Sequence, residues 1–262
     1  MGRFLPNPKL RFLDQCREVI RFERFSPRTV EAYVHWIRRF IVWSGKRHPK
    51  EMGAAQVSGF LGELALRQQV AAQITRAGVN AVLIAPQFAR DAADSSAGRF
   101  WEPGRFQHFL DEAQKQLAQL YGDKRAEKAL QRMPLVFIAY SGGYMPAAFA
   151  IHHGGATKRV KAVLLLDGLY GDVEKFTGWM TRYRSGIFVS AYTHLTADRN
   201  AALMKTLTER KIPYEIELKK PLRPGTVAFV ETGVERRHRD FVTDAWAELP
   251  VRDFLRTLAD KK

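Results

Sequence analysis

The apolar residues change their period near Asn80, and this change constrains the fold more than any other feature of the chain. Before it they recur at the spacing of one helix face; after it they fall in short runs separated by helical stretches, the pattern of a parallel sheet covered by helices. Residues 81–85, 135–139, 162–166, 186–190 and 226–230 read as strands. Residues 106–120, 143–152, 199–209 and 241–247 read as helices, and Lys219 to Gly225 as a basic, proline-containing loop. The expected fold class is α + α/β, with a small N-terminal helical bundle over residues 1–75 joined to a mostly parallel sheet with flanking helices over 76–262. A hydrophobic content of 46% in 262 residues is ample for a packed core.

Three helices are expected in the first segment. One runs from Pro8 to about Phe25. The second starts at Ser26, an N-cap followed by Pro27 in the first turn, and carries Val30, Tyr33, Val34, Ile37, Phe40 and Ile41 as an apolar stripe until Gly45 ends it. A third runs from about Ala54 to Ala65. The opposite face of the second helix bears Arg28, His35, Arg38 and Arg39, and Lys46, Arg47 and Lys50 make the next loop cationic. The whole chain carries a net +15; residues 1–75 hold 13 Lys and Arg against 6 Asp and Glu, more than twice the charge density of the remainder. Such clustering suits phosphate contacts on duplex DNA, although a solvated face or a generally Arg-rich composition gives the same count.

The single cysteine, Cys16, excludes an intramolecular disulfide and fits a reducing compartment. No apolar run has signal-peptide or membrane-spanning length, so a cytoplasmic location with no membrane contact is expected, and neither a cofactor nor a metal is called for.

The junction LVFIAYSGGYMPAAFAI is the strongest chemical signal. A strand runs into Tyr140-Ser141-Gly142-Gly143 and then into a small-residue helix, the context of a nucleophile elbow with Ala139 in the first place. A Gly-rich turn that merely packs is the alternative. Further along come Asp167 at the end of LLLD, Asp198 after the next strand, and His238 in ERRHRDFV, the order Ser, acid, His. His238 would take the Ser141 proton while a carboxylate holds its tautomer, with Asp167 the first choice of acid and Asp198 the second. Asp198 is equally a helix cap, and Asp167 could simply close a turn.

Two resemblances follow. SPRT-x3-Y-x2-WIRRFI, GKRHP and EMG, within residues 7–72, resemble the N-terminal core-binding, SAM-like domain of integron integrases, a branch of the tyrosine recombinases. That resemblance implies DNA contacts by Arg28, Thr29, Tyr33, Arg38, Arg39, Lys46 and Arg47. It implies no recombinase activity, because the only His-x-x-Arg spacing is His35 to Arg38 inside a helix and no Gly-Leu-Arg motif occurs. Residues 78–262, with APQFA, SGGYxPAA, LLDxLYG and HRDFV, resemble α/β-hydrolases from the middle of that fold to its end. The resemblance implies a truncated sheet and the loss of a loop supplying half the oxyanion hole, costing about 10²- to 10³-fold in turnover. Three readings are open: a DNA-binding protein of the integration and recombination type, favoured on charge and pattern; a serine hydrolase of a small ester-like substrate; and a recombination-derived fusion with neither activity strong.

Overall fold

A computed structural model describes residues 4–46, 51–53, 69–86, 88, 96–123, 125–233 and 237–259. The chain divides into two compact units, Met1–Leu66 and Arg67–Lys262.

In the first unit two helices pack together, α1 (Phe12–Phe22) and α2 (Pro27–Trp43). Ser26 caps α2 by accepting the Thr29 N–H at 3.2 Å, and Pro27 occupies the first turn, where its missing N–H costs nothing. The helix closes where Gly45 turns left-handed at φ 66° and the Lys46 N–H reaches back to Ile41 O at 2.8 Å. Val30 and Val34 are buried. The expected third helix, 54–65, lies outside the described residues.

The second unit is built on four parallel strands in the order β1 (Leu135–Tyr140), β2 (Val160–Leu166), β3 (Ile187–Tyr192) and β4 (Val227–Glu231). Helices precede, connect and follow them: α3 (described over 69–77), α4 (Arg105–Tyr121), α5 (Arg125–Arg132), α6 (Tyr144–His153), α7 (Val173–Arg182), α8 (Ala197–Glu209) and α9 (Pro250–Ala259). β2 and β3 are apolar along nearly their whole length because both faces are covered, and their Leu164, Leu165, Phe188 and Val189 are fully buried. Phe176, Trp179 and Met180 present the buried stripe of α7 to the same core. A second apolar cluster joins Phe100, Phe106 and Leu110 to Ala150.

Two expectations change. Residues 81–86 form no strand, and Val82, Leu83 and Ile84 stay at least 36% exposed. A strand exists only where its backbone N–H and C=O groups are paired, and residues 81–86 pair with none of the four strands, although β1 stands at an edge of the sheet. Residues 241–247 are turns and bends, not a helix. Phe241, Val242 and Ala245 are buried, yet the chain folds back through an Asp244 to Glu248 bridge and a Leu249 N–H to Thr243 O bond of 3.1 Å before α9 begins. Helices α3, α5, α7 and α9 correspond to none of the helices expected from the sequence. On α3, buried Gln73 donates to Val242 O at 2.6 Å and accepts from Val251 N–H at 2.9 Å, tying that helix to α9.

Candidate active site

Ser141 leaves the C-terminal end of β1 with φ 52°, a left-handed conformation that costs a non-glycine residue energy and turns its side chain out above the sheet. A 3-10 turn, Ser141–Gly143, then leads into α6. The elbow is packed from the neighbouring strand end. A Cβ on Gly168 would lie 3.1 Å from Ser141 O and 3.3 Å from Ser141 N, so the residue after Asp167 has room for little more than hydrogen.

Asp167 follows β2 at φ 44° and is fully buried. His238 lies in the short turn His238–Asp240 beyond β4 and is partly exposed. These three side chains form one hydrogen-bonded line. His238 Nε2 is 2.8 Å from Ser141 Oγ, and His238 Nδ1 is 2.7 Å from Asp167 Oδ2. With Asp167 ionised, Nδ1 carries the proton and donates to the carboxylate, leaving Nε2 to accept from the serine hydroxyl.

The carboxylate is held charged in a buried place. Burial alone pushes the Asp167 carboxyl up; the Thr193 N–H, His238, Thr196 and the Thr193 hydroxyl outweigh it, and the net direction is down. The Tyr140 ring stacks on the His238 imidazole at 4.9 Å, and Tyr170 meets it edge-on at 6.2 Å. Burial pushes both phenols up, so neither carries charge near neutral pH.

Ser141, His238 and Asp167 are therefore brought together, whereas Asp198 is not. It is exposed in the first turn of α8, where a negative charge suits the helix end, and both ring nitrogens of His238 are already engaged elsewhere. Thr196, not Asp198, occupies the cap position. Thr193 and Thr196 carry no expectation in the sequence, and the one signal for them is that THLT follows β3 at the same sheet end as Asp167. Among the described residues no group of His, Cys, Asp and Glu could hold a metal ion.

In the first unit Arg28, Arg38, Arg39 and Lys46 are exposed, and the Arg39 guanidinium lies 4.7 Å over the Trp36 ring. At 100° per residue, Arg28, His35 and Arg39 share one face while Arg38 flanks it. Thr29 is half-buried, with its hydroxyl 2.8 Å from Ser26 Oγ, and exposed Tyr33 turns its ring edge to Phe25 at 5.5 Å. These two stand apart from the arginine face. Arg47 lies outside the described residues. Glu31 interrupts the positive face but is paired with Arg17 at 3.0 Å. No helix among the described residues is long and apolar enough to cross a membrane.

Comparison with known proteins bears on the first part of the chain. Residues 12–84 match the phage integrase, N-terminal SAM-like domain. Integrase/recombinases of Escherichia coli and Pseudomonas aeruginosa are each 44% identical over 81 residues, 30% of this chain and 24% of theirs. The chain thus spans about a quarter of the length of these curated relatives. No solved structure matches it. The matched stretch runs past the division between the two compact units, so α3 and its Gln73 clasp belong to the second unit. The likeness is to the N-terminal domain of integrases, and Ser141, Asp167 and His238 lie beyond the residues that carry it.

Proposed function

We propose that the second unit is a serine hydrolase acting on a small ester-like substrate. The observation that carries this reading is the unbroken line from Ser141 Oγ through His238 to Asp167, at 2.8 and 2.7 Å. Ser141 Oγ attacks the ester carbonyl as its proton passes to His238 Nε2. The tetrahedral intermediate collapses, and the alcohol leaves with that proton. Water then attacks the acyl-serine, giving its proton to His238, and the carboxylic acid departs as Ser141 regains its hydrogen. Asp167 stays ionised throughout and stabilises the imidazolium. The Gly142 N–H, next after the nucleophile, is one oxyanion donor. A fluorophosphonate probe should label the full chain and fail to label Ser141→Ala; an unlabelled wild-type chain overturns the reading.

A second reading concerns the first unit: that it contacts duplex DNA weakly and without strong sequence preference. It is favoured by the match over residues 12–84 together with the exposed Arg28, Arg38 and Arg39. Duplex affinity measured at several salt concentrations tests it, since phosphate contacts make log affinity fall linearly with log salt. A salt-independent affinity, or none at low salt, removes it. No DNA cleavage or rejoining is expected, and a covalent tyrosine adduct on a nicked substrate would contradict that.

A further inference from the structure

We propose that Thr193 and Thr196 are positioning residues of the Ser141 site, acting through Asp167; this rests on the reading of that site as a hydrolase. Both follow β3 and are at most 2% exposed, as is the carboxylate they face. Thr193 approaches it twice, its N–H donating to Oδ1 at 3.0 Å and its hydroxyl lying 3.1 Å from Oδ1 and 3.0 Å from Oδ2. The Thr196 hydroxyl donates to Oδ1 at 2.9 Å.

Their hydroxyl protons have little choice of direction. A hydroxyl can donate once and accept twice, so what already donates to it decides where its own proton goes. The Leu195 N–H donates to Thr193 Oγ1 at 3.1 Å, and the Asn200 side-chain amide faces Thr196 Oγ1 at 3.4 Å. That amide is itself held. Its nitrogen donates to Thr196 O at 2.8 Å, and its oxygen accepts from the Ser190 hydroxyl at 2.7 Å. Both threonines are thereby committed as donors to an acceptor-only partner.

The geometry has a use. Donors from Thr193 and Thr196 converge on Oδ1, which fixes the carboxylate rotation and presents Oδ2 to His238 Nδ1. They also offset burial, which would otherwise favour a neutral acid unable to orient or stabilise an imidazolium. The other titratable groups facing this pair are Tyr140 and Tyr170, both against the His238 ring, and Asp240, whose charge acts on Tyr140 and is itself paired with Arg237 and Arg239.

The test compares the full wild-type chain with Thr196→Val, Thr196→Ser and Thr193→Val by two measurements. The first is the rate of Ser141 labelling by a fluorophosphonate; the second is the NMR titration of the His238 imidazole, assigned with a His238→Gln variant. Loss of one donor leaves more negative charge on the Asp167 carboxylate for His238 to feel. The His238 midpoint in Thr196→Val should then lie above that of the wild-type chain. Labelling should slow roughly tenfold or more, the rate equivalent of one hydrogen bond to a charged group. Thr196→Ser should restore both, which a packing role alone would not require. Thr193→Val should move them in the same direction and decides the matter if Thr196→Val does not fold. Folded variants with unchanged midpoints overturn the proposal. A wild-type chain that never labels removes the hydrolase reading instead, and the titration still tests the threonines.

Discussion

The two compact units treat their polar residues in opposite ways. In the first, the described helices bury Val30 and Val34 while Phe22, Phe25, Tyr33 and Val42 remain more than 45% exposed, and the residues of interest are arginines in solvent. In the second, the decisive groups are inside: Asp167, Thr193, Thr196, Asn200 and Ser190 are at most 2% exposed and bonded to one another. Exposed charge works by number and position along a face, and tolerates small displacements. A buried acid works only if each donor is in place, because an unmatched one loses its charge.

Substitutions should separate the units on this basis. The largest effect is expected for Asp167→Asn, which keeps the shape but favours the wrong imidazole tautomer; Ser141 labelling should fall by about 10⁴-fold. A change below tenfold would show that Asp167 does not orient the base. DNA affinity should be untouched.

Next is stability. Leu165→Ala, in the fully buried stretch of β2, should cost about 2 to 5 kcal/mol in denaturant unfolding. Val34→Ala in the first unit should cost roughly 1 to 2 kcal/mol from its two methyl groups. Equal costs would mean that the first unit has a deeper core than its described helices present.

A smaller effect concerns acid. The Asp167 carboxyl is lowered in the folded chain, so its contribution to stability is present above the unfolded value of about 4 and is lost as pH falls through the folded value. Asp167→Asn should therefore flatten the pH dependence of unfolding below about pH 4. An unchanged acid limb would place the acid sensitivity in other carboxylates.

The smallest effect is expected at the surface. Arg38→Ala with Arg39→Ala should reduce the slope of log duplex affinity against log salt by about 2, one unit per lost phosphate contact. Ser141 labelling should not change. A salt slope equal to that of the wild type would move the DNA contacts away from α2.

Much of this was legible beforehand because it depends on local rules. Ser26-Pro27 announces the start of α2 through capping and a preset φ, and the LVFIA, AVLLL, GIFVS and TVAFV runs announce strands because each must be apolar on both faces. The YSGG turn also reads locally, since two glycines after a serine permit a tight strand-to-helix reversal. Residues 81–85 have the same apolar character yet form no strand, because pairing requires a partner that no local pattern supplies. The 241–247 segment shows the converse: its apolar spacing is that of a helix, but the buried side chains come from a folded-back turn.

By itself the sequence determined the change from helical bundle to parallel sheet, the surplus of positive charge in the first segment, and the order of serine, acid and histidine. These follow from residue type and spacing along the chain. Only the tertiary structure placed Asp167 rather than Asp198 against His238, set Thr193 and Thr196 against the Asp167 carboxylate, and joined α3 to the second unit through Gln73. Each of those depends on which groups the sheet order brings within hydrogen-bonding distance, across separations of 26 to 178 residues in the chain. Hydrogen bonds act over about 3 Å, and a one-dimensional pattern carries no measure of that distance.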